Sequence, residues 1–394
     1  MSNRQMIFTV ERKTCWSWRI LLAVLPLLAL MLAQVGDGAA AEVSGVYAVQ
    51  DPGHPFPDDI MNNPNVDGLA LRYPWFALER SEGVYNWGFI DQEIARDMAH
   101  GKKISITISP GRFTPPWVIN QGVRLYSFSW RLRGQGPCRN IQIPVPWDPI
   151  LMNKWETFVR AFGARYYSNP AIVSIKIQGV QANTPELILP HSGPWGGCPY
   201  SDRNANWQQV GYTRTRVLQT WQAYAETYAQ AFPNKGLVQE VIPDGLPPID
   251  DQGRLTSGRF DEVAVPQLIA LGMREFGARF VIQNDGISAR WNWDLLAQYG
   301  NRATVGYQML WFVTGDPQCR MNGGSSPCDA VAVQRAALER AIGAGASYVE
   351  LYPPDLENPA MQGVIADAHR RLTSRNPVLS NASPWVIAGG DRLN

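Results

Sequence analysis

The chain has 394 residues, of which 45% are hydrophobic and 18% are charged. This composition supplies enough apolar side chains for a large core and excludes a disordered or collagen-like protein. The formal net charge is only +1. Nucleic-acid-binding proteins usually carry a clear basic surplus, so we expect no nucleic-acid partner. The 15 tryptophans are typical either of a thick core or of a surface that stacks flat ligands such as sugar rings.

The first 41 residues have the pattern of a secretory signal peptide. Basic residues precede an apolar run at 20–33, and small residues at 38–41 form an A-x-A cleavage site. The apolar run is short for a membrane span, which needs about 20 residues. An uncleaved anchor formed by residues 20–35 remains the alternative. Either way we expect the body of the chain to be exported, secreted or periplasmic, with no membrane contact apart from this segment.

Four cysteines follow the signal peptide, and an even number in an exported chain predicts two disulfides. Cys319 and Cys328 flank a turn-forming stretch, so we pair them, and Cys138 then pairs with Cys198. No CxxC motif occurs, and no histidine lies near a cysteine pair at the spacing of metal ligands. We therefore predict no metal site.

Eight short β-rich apolar runs alternate with longer helical or loop segments after the signal peptide. Several are nearly continuous apolar stretches, typical of strands buried on both faces of a parallel sheet. The runs occupy residues 45–50, 67–73, 103–109, 172–180, 236–243, 279–284, 304–310 and 347–352.

Helical spacing of apolar residues fills most of the intervals between these runs. The predicted helices lie at 89–98 and 148–166 and near 212–232, 263–275, 330–343 and 359–373. Eight β/α units over residues 42–377 predict an α/β protein with a (β/α)8 TIM barrel, followed by a C-terminal tail at 378–394. A doubly wound open sheet is the alternative, but the segment after the first run, 51–55, lacks the Gly-rich phosphate fingerprint of that fold.

Two long loops rich in Trp, Pro, Gly and Cys follow strands three and four, at 110–147 and 181–211. Barrel enzymes place their sites at the carboxyl ends of the strands. The predicted Cys138–Cys198 disulfide would join the two loops on that rim and give a cleft there a fixed shape.

The predicted strand ends carry carboxylates, amides and one arginine, without a nucleophile elbow, a P-loop or an HExxH motif. Two carboxylates at a tryptophan-lined barrel mouth suit glycoside hydrolysis, in which one protonates the leaving oxygen and the other attacks the anomeric carbon or activates water. Glu186 follows strand four, and by itself it is compatible with an ordinary loop position. Glu350 lies between Val349 and Leu351, late in a buried strand, and its alternative role is a structural ion pair with Arg72 or another basic residue.

The loop tryptophans have two possible roles, stacking on sugar faces or filling small cores within the loops. The tryptophans concerned are Trp117, Trp130, Trp195 and Trp207. We also expect several residues to contact substrate. They are Arg72, Trp75, Trp117, Trp195, Asn284, Tyr307, Gln308 and Tyr352.

The segment LRYPWFALERSEGVYNW at 71–87 resembles the second strand and loop of clan A glycoside hydrolases, especially β-galactosidase-like barrels. The TPPW stretch at 114–117 resembles the loop after their third strand, and PWD at 146–148 resembles their approach to strand four. The resemblance covers about residues 66–180, and the second half matches only in its strand rhythm.

The resemblance implies that the acid/base is a Glu after strand four and that the nucleophile is a Glu at the end of strand seven. The family usually has Asn-Glu directly at the end of strand four, whereas here the first Glu, Glu186, comes a few residues later. The sequence departs from this pattern, because strand seven carries Gln308 and the corresponding Glu is Glu350 on strand eight. Three explanations stay open. The strand count is off by one, the carboxylate has moved to the next strand, or the barrel has lost hydrolysis and kept glycan binding.

The sequence thus predicts an exported glycoside hydrolase that cleaves O-glycosidic bonds in a poly- or oligosaccharide by a retaining mechanism. Glu186 and Glu350 are its predicted catalytic pair, and we expect no metal and no organic cofactor. The alternative is a catalytically inactive glycan-binding barrel of the cell envelope.

Overall fold

A computed structural model describes residues 43–50, 53–130, 137–191, 198, 203–290, 294–324 and 328–374. The predicted signal peptide, the C-terminal tail at 378–394 and Trp195 lie outside these residues. Within the described ranges, no helix is long and apolar enough to cross a membrane.

Eight parallel strands close into a barrel in which each strand pairs with the next along the chain and the eighth pairs with the first. The predicted (β/α)8 TIM barrel is therefore confirmed. The strands are β1 Gly45–Val49, β2 Gly68–Pro74, β3 Lys103–Ser109, β4 Ile172–Lys176, β5 Gly236–Val241, β6 Phe280–Ile287, β7 Thr304–Met309 and β8 Tyr348–Leu351.

Helices follow the strands around the barrel. They are α1 Asp58–Met61, α2 Gly88–Ala99, α3 Pro149–Tyr166, α4 Arg214–Ala231, α5 Ala264–Phe276, α6 Asp294–Ala297, α7 Ala330–Gly343 and α8 Gln362–Thr373. Asp148 caps the N-terminus of α3, since its side chain accepts hydrogen bonds from the amides of Ile150 and Leu151. The six predicted helices form, whereas α1 and α6 are single turns that the sequence pattern did not predict.

Shorter elements lie in the loops that follow the carboxyl ends of the strands. Single helical turns occupy Trp75–Leu78, Gly111–Phe113, Pro116–Ile119, Arg320–Asn322 and Pro353–Leu356, and a longer helix spans Arg203–Gln209. The loop after β2 contains the strands Glu79–Ser81 and Val84–Tyr85, and the loop after β3 contains a hairpin of Leu125–Trp130 with Arg139–Pro144.

Both predicted disulfides are present, Cys138–Cys198 and Cys319–Cys328. The first joins the long loops after β3 and β4, which are 60 residues apart in sequence at the bonded positions. Disulfides of this kind are typical of proteins outside the cytoplasm, so they fit an extracellular location.

The barrel interior has an apolar floor and a polar layer. The floor is a cluster of Val43, Tyr47, Val173, Val238, Val281 and Tyr348. Because alternate residues of a strand face the same side, the residues two positions further along the same strands also point inward. On β5, β6 and β8 these residues are Glu240, Gln283 and Glu350, all fully buried. The opposite faces of the strands pack against the helices in the main apolar core.

Helix α2 buries two acidic side chains against the barrel. Asp97 is 0% exposed and Glu93 is 6% exposed. Burial, reinforced by the charge of Glu93, raises the pKa of Asp97 to about 8. Neither carboxyl oxygen of Asp97 has a hydrogen-bond partner among the described residues. The folded protein therefore favours the protonated form of Asp97.

We predict that Asp97→Asn changes the pH dependence of stability. An unfolded Asp ionises near pH 4, whereas folded Asp97 holds its proton up to about pH 8. The contribution of this group is thus present at low pH and lost as the pH rises, at up to about 1.4 kcal/mol per pH unit. Asp97→Asn should flatten this loss in urea unfolding at pH 5, 7 and 9. The exposed Asp59→Asn is the control, and an unchanged pH dependence in Asp97→Asn would contradict the prediction.

Candidate active site

A fully buried lysine organises the polar layer of the barrel. Lys176 on β4 places its Nζ 2.8 Å from Oε1 of Glu240 and 2.7 Å from Oε1 of Glu350. All three side chains are 0% exposed. Burial alone would lower the pKa of Lys176, but the two carboxylates outweigh it and raise the pKa above its ordinary value. Lys176 is therefore a cation that holds two buried anions together.

Arg72 on β2 supplies the second buried cation. Its guanidinium lies 3.6 Å from Glu240 and 3.9 Å from Glu350. Lys176 and Arg72 together overcome the effect of burial on Glu240 and lower the pKa of that carboxyl. The predicted proximity of Arg72 and Glu350 is thus present. The main partner of Glu350, however, is Lys176, which the sequence interpretation did not name.

Asp285 on β6 is the carboxyl group that remains without a cation of its own. Gln283 donates a hydrogen bond of 2.7 Å to Oδ1 of Asp285 and one of 3.1 Å to Oε2 of Glu350. Burial, together with the charges of Glu240 and Glu186, raises the pKa of Asp285 well above its ordinary value. The environment of Asp285 therefore favours its protonated form, beside a Glu240 whose pKa is lowered.

Glu186 reaches the same group of residues from the loop after β4. The amide of Leu187 donates to the carbonyl oxygen of Glu240 at 3.0 Å, which fixes this loop to β5. Glu186 is half-buried, and its Oε2 has no hydrogen-bond partner among the described residues. Its charge acts on both Asp285 and Tyr352. Glu186 therefore lies at the carboxyl end of the barrel with one carboxyl oxygen unused.

Gln308 on β7 connects Arg72 to Tyr352. The guanidinium of Arg72 donates to Oε1 of Gln308, and Nε2 of Gln308 donates to the Tyr352 hydroxyl at 2.9 Å. The structure thus brings together Arg72, Gln308, Tyr352 and Glu350 of the predicted site. Glu350 lies on β8 and pairs in register with Gln308 on β7. The strand count was therefore right, which excludes the explanation that it was off by one.

Three other predicted substrate-binding residues have structural roles instead: Trp75 and Tyr307 lie in the core, and the half-buried Trp117 packs against it. Trp75 is 0% exposed and its Nε1 donates to Glu79 at 2.8 Å. The ring of Trp117 meets that of Trp75 edge to face at 6.3 Å, and its Nε1 donates to the carbonyl oxygen of Glu79. Tyr307 is 0% exposed in the main apolar core, because it faces outward from β7.

Asn284 and Trp207 also have structural contacts. Asn284 donates to the carbonyl oxygen of Val241 at 3.0 Å and is 2% exposed, so it joins the end of β6 to β5. Trp207 is 0% exposed and stacks on Tyr126 with ring centroids 3.7 Å apart. Most of the described loop tryptophans thus fill small cores, as one of the two sequence interpretations allowed.

An aromatic wall that the sequence interpretation missed flanks Tyr352. Trp311 and Phe312, directly after β7, have ring centroids 6.1 Å and 6.5 Å from that of Tyr352. Both are half-buried, and the guanidinium of Arg320 lies 4.4 Å from the Trp311 ring. These rings form a partly exposed aromatic cluster around Tyr352. Among the described residues, no group of three or more His, Cys, Asp and Glu side chains is placed to hold a metal ion.

No known family model and no curated protein matches this sequence. Solved structures of similar fold include the catalytic domain of a β-amylase from Paenibacillus polymyxa, with a TM-score of 0.54 and 9% identity over 86% of this chain and 100% of that one. β-Galactosidases from Halorubrum lacusprofundi and Rahnella sp. R3 each give a TM-score of 0.50, at 11% and 12% identity. This chain spans only 58% and 57% of their lengths. The shared feature is the barrel fold.

We predict that Lys176→Met strongly destabilises the protein, because it leaves two buried carboxylates without their cation. The expected cost is about 3–5 kcal/mol of unfolding free energy. Adding Glu350→Gln should recover part of it, since one uncompensated charge is then removed. The control is Lys154→Met, which breaks a pair with the exposed Glu82 and should cost about 1 kcal/mol or less. Equal losses in urea unfolding of the two lysine variants would refute this assignment.

Proposed function

We propose that the protein is an exported glycoside hydrolase that cleaves O-glycosidic bonds in a poly- or oligosaccharide. The observation that carries the proposal is the electrostatic interaction of two carboxyl groups at the carboxyl end of a closed barrel, those of the buried Asp285 and the half-buried Glu186. The pKa of Asp285 is raised by burial and by neighbouring negative charges. Glycosidases use one carboxyl group with a raised pKa as the acid and a second carboxylate as the nucleophile or base. The barrel shared with a β-amylase and β-galactosidases supports this class of reaction.

Asp285 is a better partner for Glu186 than Glu350 is. Glu350 is 0% exposed, and both its oxygens are engaged, Oε1 by Lys176 and Oε2 by Gln283. A nucleophile needs an oxygen that an anomeric carbon can approach. The contacts of Glu350 favour the alternative role that the sequence left open, a structural ion pair. Asp285 is also buried, at 4% exposed, but its Oδ2 has no hydrogen-bond partner within the described residues. It is the next inward residue after Gln283 on β6, closer to the mouth of the barrel.

The proposed mechanism follows from the proton on Asp285. Asp285 donates it to the glycosidic oxygen as the bond to the anomeric carbon breaks, while Glu186 attacks that carbon and forms a glycosyl–enzyme ester. Asp285, now ionised, then accepts a proton from the water that hydrolyses the ester. The product retains its anomeric configuration, and the proton returns to Asp285.

Gln308 supports a second candidate, a glycan-binding barrel without hydrolysis. A neutral amide occupies the strand that carries the nucleophile in the resembled clan, and an amide is neither a nucleophile nor a base. In this case Arg72, Gln308, Tyr352 and the aromatic wall would still bind a sugar ring. A measurement of glycoside turnover distinguishes the two candidates, because only the hydrolase releases product.

Export is part of the proposal. The two disulfides and the signal-like residues 1–41 support a secreted or periplasmic location, with anchoring through residues 20–35 as the alternative. Cell fractionation with thiol titration under denaturing conditions tests it. Four free thiols in the exported protein would contradict it.

We predict that Glu186→Gln and Asp285→Asn each lower turnover by about 10²–10⁴-fold on the best substrate of an aryl-glycoside panel. An activated dinitrophenyl leaving group needs no protonation. It should therefore restore bond cleavage in Asp285→Asn but not in Glu186→Gln. Glu350→Gln serves as the comparison, and we expect it to reduce stability more than turnover. A folded Glu350→Gln variant with no turnover, beside an active Asp285→Asn, would reassign the second catalytic residue to Glu350.

We predict that turnover falls on the alkaline side of the pH profile. Only protonated Asp285 can act as the acid, so the rate should decline as the pH rises through its elevated pKa. Asp285→Asn should abolish this alkaline limb for an activated substrate. A proton NMR time course of the first released anomer should show retention. An inverted product would exclude the glycosyl–enzyme ester.

A further inference from the structure

An arginine without an acidic partner lies at the rim of the candidate site. Arg112 belongs to the helical turn Gly111–Phe113, directly after β3. None of the carboxylates in the described residues forms an ion pair with Arg112, and burial lowers the pKa of its guanidinium without any opposing negative charge. Yet the side chain is exposed enough to meet solvent. Its charge is thus available to a ligand.

The loops after β3 and β4 fix the position of this guanidinium. The amide of Arg112 donates to the carbonyl oxygen of Ala182 at 2.9 Å, and its Nε donates to that of Asn183 at 3.2 Å. Gly111 permits the close approach, because it has a φ of +59° and a Cβ there would lie 2.3 Å from the Ala182 oxygen. Within the described part of the chain, the terminal nitrogens of the guanidinium form no hydrogen bond, so their N–H groups are available for an anion.

Aromatic rings surround the same guanidinium. Its Cζ lies 4.2 Å from the ring centroid of Phe113 and 5.4 Å from that of Trp130. The ring of Phe76, 6.1 Å from Phe113, is 43% exposed although it is large and apolar. A planar cation beside half-buried rings and the exposed Phe76 suits a sugar ring with one apolar face and one anionic substituent.

A buried amide in the adjoining loop has no partner. Asn183 is 3% exposed, and neither its Nδ2 nor its Oδ1 makes a hydrogen bond within the described part of the chain. Leaving such a group unsatisfied costs about 1–3 kcal/mol, so an unpartnered buried amide needs an explanation. Asn183 precedes Glu186 by three residues and bonds Arg112 through its own carbonyl oxygen. A hydroxyl-bearing ligand at this point would satisfy the amide.

We propose that Arg112 and Asn183 form a subsite for an anionic sugar, one that carries a carboxylate or a sulfate ester. This inference rests on the proposed function and names its substrate class. The guanidinium fork binds the anion through two parallel hydrogen bonds, and the Asn183 amide binds a ring hydroxyl. The deeper acids Glu240 and Glu350 offer little opposition, because Lys176 and Arg72 already balance them.

The test compares anionic probes with their neutral counterparts. Calorimetry of the whole exported protein would measure Kd for oligogalacturonate, oligomannuronate and sulfated galactan fragments, and for their carboxyl-reduced or desulfated forms. The intact protein should bind at least one anionic probe roughly tenfold more tightly than its neutral form, the value of one charge-assisted hydrogen bond. The carboxylate and sulfate arms identify which anion is preferred.

Variants assign that preference to residues. Arg112→Gln should abolish it, Arg112→Lys should keep part of it, and Asn183→Ala should weaken both probe forms alike. Arg302→Gln is the matched control, because Arg302 is also exposed and also lies over an aromatic ring, Tyr299 at 5.2 Å, but precedes β7 at the opposite end of the barrel. Urea unfolding checks that each variant is folded.

The outcomes separate this inference from the proposed function. Equal binding of every probe pair by the intact protein, or the same anionic preference in a folded Arg112→Gln variant, overturns the subsite. Anionic preference without hydrolysis of any substrate supports the subsite and refutes the hydrolase. Hydrolysis without a preference for anionic probes supports the hydrolase and refutes the subsite.

Discussion

Lys176 and the carboxylates of Glu240 and Glu350 share a barrel interior that water does not reach, so each charge there depends on the others. A buried ion is tolerated only with a well-placed partner. Two cations, Lys176 and Arg72, balance these two anions. Asp285 has no cation left to pair with, and burial then holds its proton in place. The acid proposed for catalysis is thus a consequence of the charge balance in the layer beneath it.

The residues of the candidate site lie partly on strands and partly on loops. Lys176, Glu240, Asp285 and Glu350 lie on strands of a closed barrel, where backbone pairing fixes them. Glu186 and the rim residues lie on loops, which are held by backbone hydrogen bonds to β5 and by the Cys138–Cys198 disulfide. The strands therefore determine the charges of the buried groups, and the loops determine which substrate can approach them. This division is typical of barrel enzymes, which vary their loops on a constant core.

The sequence predicted the barrel because strands buried on both faces leave continuous apolar runs. It also identified Glu350, since a charge within such a run needs a partner. The same argument applies to Lys176 and Glu240, which we did not select. Two other features of the site could not be predicted from the sequence. A tryptophan such as Trp75 has the same spacing whether it fills a core or stacks a sugar, and the pKa of Asp285 depends on charges from several separate segments.

The presence of Gln308 on β7, where the resembled family has a Glu, fits this charge balance. Its amide accepts from Arg72 and donates to Tyr352, so both of its ends are used. A glutamate here would add another negative charge beside an arginine that already serves Glu240 and Glu350. It would also lose the hydrogen bond to Tyr352 unless the phenol became the donor. The neutral Gln308 on β7 and the raised pKa of Asp285 on β6 therefore have the same cause, the limited number of buried cations. The interior has two cations, and they stabilise two fully buried anions but not a third.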